Sequence, residues 1–79
     1  MIDGRATPRY RVEEAAWIEY GGDKTPCTVR DLSETGALIE VSHTKSVPEK
    51  FTLIIPGYQL RLPSSVVRRS EFRIGVKFD

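Results

Sequence analysis

Residues 72–78 read Phe-Arg-Ile-Gly-Val-Lys-Phe, with an apolar side chain at every second position. Successive side chains of a β-strand point to opposite faces, so this alternation predicts a strand with one buried and one solvated face. Upstream, further short apolar runs are separated by Gly, Pro and Asp at intervals of roughly 8–12 residues, a spacing typical of small barrels and sandwiches. Helical periodicity is not sustained anywhere. The sequence therefore predicts an all-β fold.

Six strands are expected, and together they favour a closed barrel. The five strands before the last are predicted at about residues 12–20, 25–31, 36–41, 51–55 and 58–69. Gly21-Gly22-Asp23 and Pro56-Gly57 supply turns, and Ser42 to Lys50 forms the longest loop. Pro63 within the fifth strand indicates a bulge or an edge position. Closure removes unpaired edges, so we expect a small six-stranded antiparallel β-barrel.

The alternation also assigns side chains to the inside and outside of the barrel. The expected core consists of Val12, Ile18, Val29, Ile39, Val41, Phe51, Leu53, Ile55, Leu62, Val67, Phe72, Ile74, Val76 and Phe78. Trp17, Leu38 and Ile54 fall on outward faces. Plain packing is the expected role of these three side chains, since a register slip or bulge would turn them inward, and the alternative is a ligand wall or a partner contact.

Length and composition exclude several classes of protein. The chain has 79 residues, one Cys and one His, so it has one small core, no internal disulfide and too few ligands for a structural zinc site. No apolar run is long enough to span a membrane, and no secretion signal is recognised. We therefore expect a soluble cytoplasmic protein that does not insert into membranes.

No catalytic group is predicted, and neither is a metal or a cofactor. His43 stands in a polar loop, and Cys27 follows a proline and alternates with Val29, which is typical of a small buried residue. Asp31 and Glu34 lie three residues apart without a second catalytic group or a cofactor motif. These residues predict a binding protein rather than an enzyme.

Basic residues are concentrated at the two ends of a nearly neutral chain. The net charge is +1, with an excess of two positive charges in residues 1–11, three in residues 58–79 and four negative charges between them. If the fold brings the ends together, they form one local surface that attracts anions. Residues 1–11 contain Gly4 and Pro8 and are predicted to be a flexible loop preceding a barrel of residues 12–79.

Two short clusters carry chemistry suited to a nucleotide. In the first, Arg5 and Arg9 each present a planar fork of donors that fits phosphate or the guanine O6 and N7 edge. In the second, the ionised Asp31 accepts hydrogen bonds from guanine N1 and N2, and the Ser33 hydroxyl donates or accepts beside it. Gly36 permits a positive φ and the close approach of a ligand. Each cluster alone is more typical of solvated charge or of a hydrogen-bonded turn.

Taken together and in this order, the clusters resemble the PilZ domain, a bacterial receptor for cyclic di-GMP. Its pattern is Arg-x-x-x-Arg before the first barrel strand, followed by Asp/Asn-x-Ser-x-x-Gly. Here 21 residues separate Arg9 from Asp31. Residues 8–12, 36–41 and 66–78 also look like the family's first strand, post-turn strand and closing hairpin, so the resemblance covers essentially the whole chain.

The resemblance implies a six-stranded barrel on which an arginine loop closes over cyclic di-GMP. By position, Arg5 and Arg9 would contact phosphate and guanine, while Asp31, Ser33 and Gly36 would hold a guanine base. Arg11, outside the motif, is at best an auxiliary phosphate contact. Such a module would act as an adaptor that presents a changed surface to a partner protein, which the sequence does not identify.

Two alternatives keep a small barrel but change its function. Some PilZ domains bind partner proteins without nucleotide, a reading that the intact Arg5, Arg9, Asp31, Ser33 and Gly36 argue against. The other alternative is a barrel that binds single-stranded nucleic acid through basic residues and exposed aromatics such as Tyr10, Trp17 and Tyr58. The near-neutral charge and the lack of an aromatic row argue against nucleic acid as a partner.

Overall fold

The computed structural model describes residues 9–79 and shows a closed barrel of six antiparallel strands. The strands are β1 (Tyr10–Tyr20), β2 (Asp23–Leu32), β3 (Gly36–Glu40), β4 (Lys50–Ile55), β5 (Leu60–Arg69) and β6 (Arg73–Phe78). Their order around the barrel is β1-β2-β3-β6-β5-β4. Two short 3-10 turns, Thr44–Ser46 and Pro56–Tyr58, flank β4. None of the helices in residues 9–79 is long and apolar enough to cross a membrane. The predicted six-stranded antiparallel barrel is confirmed.

β1 begins earlier than the sequence predicted. Tyr10 and Arg11 continue the ladder opposite Leu32 and Asp31 of β2, so both belong to the strand and not to the preceding loop. Residues 1–8, which make up most of the predicted loop and include Arg5, lie outside the described residues.

Two of the connections form where the sequence placed turn residues. Gly21 and Gly22 have φ values of 56° and 85°, as a two-residue hairpin of type I′ requires, and they join Tyr20 to its partner Asp23. Between β4 and β5, the 3-10 turn at Pro56–Tyr58 ends on Gln59 in the left-handed conformation. These tight connections set the register of both hairpins.

The core lies inside the barrel and contains most of the predicted apolar residues. The fully buried apolar side chains are Ile18, Val29, Ile39, Leu53, Ile55 and Ile74. Val12, Leu62 and Phe78 are partly buried and pack against this cluster. Since each core residue alternates with an outward one, the barrel has a dry interior and an outer surface free to carry a site.

Val67 was wrongly assigned to the core, and the reason is the position of a bulge. Alternation runs unbroken through Pro63 to Val66, and the β5–β6 register shifts only between Val66 and Arg68. Val66 therefore packs on the core and Val67 is 62% exposed. Pro63 precedes the first β5–β6 pair, Ser64 with Phe78, so that ladder does not need its missing N–H.

Phe72 was also wrongly assigned to the core. It lies in the turn between β5 and β6, which is closed by a hydrogen bond from the Ser70 N–H to the Arg73 carbonyl oxygen at 2.8 Å. β6 starts only at Arg73, so the alternation of residues 72–78 does not apply to its first member. Phe72 is 54% exposed as a result.

The outward placement of Trp17, Leu38 and Ile54 is confirmed. Trp17 stands opposite Ile54 of β4 and Pro26 of β2, and it is 39% exposed. Ile54 is half-buried between the fully buried Leu53 and Ile55, and Leu38 is half-buried next to the fully buried Ile39. Trp17 and Ile54 therefore share one side of the barrel, and Leu38 lies on the β2–β3–β6 side.

Candidate ligand-binding site

A concave surface on the outside of the barrel brings together most of the predicted site residues. Arg9, Asp31, Ser33 and Gly36 line one depression of about 400 Å³. The other predicted residue, Arg5, lies outside the described residues. The remaining lining comes partly from residues next to the turn between β2 and β3, such as Leu38, and partly from β5 and β6, which contribute Val67, Arg68, Gly75 and Lys77.

Strand register builds a continuous row of residues that crosses this depression and extends to Arg11 beside it. Arg11 lies opposite Asp31, Asp31 opposite Leu38, Leu38 opposite Gly75, and Gly75 opposite Arg68. Five strands thus contribute one residue each, and with about 4.8 Å between strands the row extends over roughly 19 Å. A carboxylate, an apolar side chain and a glycine therefore lie between two arginines.

Asp31 is held between two irregularities of the sheet. The β1–β2 register shifts between Arg11 and Glu14, and the β2–β3 register shifts between Val29 and Asp31. Such bulges re-aim side chains next to functional sites. The half-buried Asp31 carboxylate makes no hydrogen bond or ion pair with any residue in 9–79. It is free to accept hydrogen bonds from a ligand.

Ser33 shapes the turn between β2 and β3. Its Oγ accepts hydrogen bonds from the Gly36 N–H at 3.1 Å and the Thr35 N–H at 3.2 Å, and donates to the Gly36 carbonyl oxygen at 3.2 Å. The Ser33 N–H donates to the same carbonyl at 2.9 Å. This hydroxyl fixes the turn that follows Asp31, while direct contact of Ser33 with a ligand stays a prediction.

Gly36 has a structural role that the sequence did not predict, while the close approach of a ligand to it stays a prediction. The expectation of a positive φ is wrong, since within residues 9–79 only Gly21 and Gly22 among the glycines adopt one. A Cβ on Gly36 would instead lie 2.2 Å from the Val76 carbonyl oxygen of β6. Glycine allows β3 to pass that close to β6, so its role here is to hold the sheet together.

Arg11 lies beside the main depression, in a smaller one of about 300 Å³ that shares Asp31 and Leu38 with it. Two further arginines line this smaller depression, and both approach Glu40: Arg30 at 3.8 Å and Arg73 at 3.6 Å. An auxiliary role for Arg11 stays a prediction.

The main depression is electropositive. Three cations, Arg9, Arg68 and Lys77, line it against a single carboxylate, Asp31. None of the three forms an ion pair with a carboxylate of residues 9–79, whereas Arg61 and Arg69 each bind one. Unneutralised cations around a half-buried surface favour an anionic ligand. The expectation that the two chain ends supply one basic surface is confirmed for the described residues.

Sequence reasoning assigned no defined role in the site to the lining residues of β5 and β6, among them Val67, Arg68, Gly75 and Lys77. Alternation in β6 placed Gly75 and Lys77 outward, but the pairing of β3 with β6 was needed to bring them beside Gly36 and Leu38. The adjacent arginines at the end of β5 have different surroundings in the structure. Arg68 lines the depression, whereas Arg69 binds the loop before β4.

Neither catalysis nor metal binding is suggested by the other groups in residues 9–79. Burial raises the pKa of the Cys27 thiol to about 12, so the thiol is protonated at neutral pH and is a poor nucleophile. No group of three His, Cys, Asp or Glu side chains in this part of the chain could hold a metal ion. A larger depression of about 530 Å³ beside Cys27 and Phe72 has Glu40 as its sole charged lining residue.

The fold and the site define a class: small closed β-barrels with a basic ligand site on their outer surface, next to an Asp-x-Ser-x-x-Gly turn. The family model for the PilZ domain matches residues 3–79, and the chain belongs to this family. No curated protein sequence gives a significant match.

A solved structure shares the fold. It is the Borreliella burgdorferi PlzA protein in complex with c-di-GMP, with a TM-score of 0.73 and 19% sequence identity. The match covers 98% of this chain and 35% of the PlzA chain, so this barrel corresponds to about a third of that protein.

Proposed function

We propose that this protein is a receptor for cyclic di-GMP. The observation that carries the proposal is the convergence of Arg9 and Asp31 on one depression lined by three cations and one carboxylate. Cyclic di-GMP offers two phosphates to the cations and two guanines to the acceptor. Membership in the PilZ family, and the ligand present in the PlzA structure, support the same ligand.

Asp31 and the arginines would recognise different parts of this ligand. The Asp31 carboxylate accepts hydrogen bonds from N1 and N2 of guanine, two donors that adenine does not offer together. Arg9, with Arg5, fits phosphate or the O6 and N7 edge of a guanine through its forked guanidinium. The proposed site therefore selects guanine through Asp31 and dianionic charge through the arginines.

The segment that carries Arg5 and Arg9 is proposed to become ordered over the ligand. Fixing one residue of a free backbone costs about 1–2 kcal/mol, while a bidentate contact of Arg with guanine contributes roughly 1–3 kcal/mol. These opposing magnitudes predict a Kd nearer micromolar than picomolar. The ordered segment would change the surface offered to a partner protein, and this change would be the signal that the receptor delivers.

Isothermal titration calorimetry of the protein with cyclic di-GMP tests the proposal. Cyclic di-AMP, GTP and a single-stranded oligonucleotide serve as controls, because they share its charge or its bases but not the whole pattern. We expect saturable binding of cyclic di-GMP alone. A folded protein that ignores cyclic di-GMP would favour an adaptor without nucleotide, and binding of the oligonucleotide with a steep salt dependence would favour a nucleic-acid function.

A further inference from the structure

Gly75 stands at a position where the barrel does not need a glycine. It lies on the outward face of β6, and its φ is not positive. A Cβ built there would have Arg68 Cβ at 3.7 Å and Val67 Cγ2 at 3.8 Å as its nearest neighbours, which are ordinary van der Waals contacts. A glycine inside a strand weakens it and often marks a site of close approach. The fold thus tolerates a side chain at residue 75.

The place of Gly75 in the site supplies a reason for the missing side chain. Its strand partners are Leu38 on β3 and Arg68 on β5, and all three line the same depression as Asp31. The outward side chain that a strand residue would normally project is absent at the centre of this surface. The result is a partly exposed piece of backbone at Gly75, between an apolar side chain and a guanidinium.

Arg68 is also unexplained by the structure of the barrel. It is exposed, and it forms no ion pair with a carboxylate of residues 9–79. Lys77, two residues beyond Gly75 on the same face, likewise has no carboxylate partner in this part of the chain. By contrast, Arg61 on the outward face of the same β5 strand binds Glu19 at 2.7 Å.

We propose that Gly75 and Arg68 form the second half of the ligand site. One guanine of cyclic di-GMP is held by Asp31; the other base lies flat on the backbone at Gly75, against Leu38, and Arg68 binds the phosphate on that side. The ligand has two like halves, and one carboxylate serves only one of them. Asp31 and Gly75 lie two strands apart, about 10 Å, so both halves fit on one surface. The inference rests on the proposed function of this site.

Titration calorimetry of the full chain with cyclic di-GMP tests this assignment with two substitutions and one control. Gly75→Val places a good strand former on the floor, and Arg68→Gln removes the charge while keeping a long polar side chain. Arg61→Gln removes an outward arginine of the same strand that does not line the depression. Melting temperatures are measured for all the variants.

We expect Gly75→Val and Arg68→Gln each to weaken binding about tenfold or more, which corresponds to 1.4 kcal/mol. Gly75→Val should melt at or above the wild-type temperature, because a β-branched residue suits a strand better than glycine. Arg68→Gln should in addition make the affinity less dependent on salt. Arg61→Gln should leave the affinity unchanged.

The outcomes separate this inference from the proposed function. If wild-type protein binds cyclic di-GMP and both variants bind within twofold of it, the second half-site is wrong while the receptor function stands. If the wild-type protein does not bind, the receptor function fails and this assignment with it. Gly75→Ala provides a second test in case Gly75→Val does not fold. A large drop in the melting temperature of Gly75→Ala would show that the barrel needs this glycine and would overturn the argument.

Discussion

Gly36 and Gly75 show that one residue type serves opposite purposes in this site. The motif glycine, Gly36, is indispensable to the barrel, since a Cβ there would lie 2.2 Å from the Val76 carbonyl oxygen. Gly75, which belongs to neither motif, has room for a Cβ and leaves the floor of the site open. The motif alone therefore explains neither why the barrel needs Gly36 nor why Gly75 carries no side chain.

In the proposed site Asp31 recognises the guanine base, and Asp31→Ala tests that role. Hydrogen bonds to a charged group contribute about 1.5–3 kcal/mol, so we expect cyclic di-GMP to bind roughly ten- to a hundredfold more weakly. The preference over cyclic di-AMP should shrink by the same factor, because adenine lacks the donors that this carboxylate accepts. Calorimetric titrations with both dinucleotides measure the ratio.

Glu34→Ala is the matched control for Asp31→Ala. It removes an exposed carboxylate from the same turn, so it reproduces the change in net charge without touching the proposed base contact. We expect its affinity to be unchanged or slightly higher. If Asp31→Ala lost affinity equally for cyclic di-GMP and cyclic di-AMP, the carboxylate would not distinguish guanine from adenine.

The site was only partly predictable from its residues. Arg9, Asp31, Ser33 and Gly36 could be grouped because their chemistry and order suggest a nucleotide site, and the structure places all four around one depression. The reason for Gly36 could not be foreseen, because it depends on how closely β6 passes, and β6 lies at the far end of the chain. The places of Arg68 and Lys77 in the depression likewise depend on how β6 pairs with β5 and β3, which the sequence does not show.

The strands were more predictable than the places where they bend. The pattern of apolar and polar residues located all six strands, since the burial of side chains along a half-buried strand repeats every two residues. The misassigned core residues fall where that rule is interrupted: Val67 at a bulge and Phe72 in a turn. A bulge adds one residue to one strand only, and no residue type in β5 indicates that it lies between Val66 and Arg68. The bulges beside Asp31 and Val67 nevertheless shape the edges of the site.

The loop between β3 and β4 is fixed to β5 by Arg69. Its guanidinium donates to the carbonyl oxygens of Thr44 and of Val47, the latter at 2.7 Å, and forms an ion pair with Glu49 at 3.1 Å. Thr44 and Val47 are themselves buried. Arg69→Ala leaves both carbonyls without this donor, and we expect it to lower the free energy of unfolding by about 3 kcal/mol.

Equilibrium unfolding in urea measures the effect of Arg69→Ala, and Glu49→Ala is its control. The Glu49 side chain is 80% exposed, and ion pairs with exposed side chains contribute about 0–1 kcal/mol. We therefore expect the control to remain close to wild type. Similar losses in the two variants would show that the ion pair, and not the carbonyl contacts, holds the loop.

The distribution of charge over residues 9–79 shows how a nearly neutral protein would attract the proposed dianionic ligand. The net charge is +1, yet the depression collects Arg9 from the start of the described chain with Arg68 and Lys77 from its last two strands. Elsewhere in residues 9–79, several cations form ion pairs with surface carboxylates, as Arg61 does with Glu19 and Arg73 does with Glu40. Closure of the barrel brings three cations without a carboxylate partner in residues 9–79 to one depression.

This concentration of charge predicts that ligand binding depends on salt while stability does not. The Debye length falls from about 10 Å at 0.1 M to about 3 Å at 1 M ionic strength, so contacts between exposed cations and phosphates weaken over this range. We expect the affinity for cyclic di-GMP to fall as NaCl is raised from about 0.1 M to about 1 M. The urea midpoint should change little, because the surface ion pairs add little to folding. Titration and unfolding at matched salt concentrations provide the comparison. An affinity that stays constant across this range would mean that the phosphates do not lie against Arg9, Arg68 and Lys77, and the charge of the depression would then serve another anion.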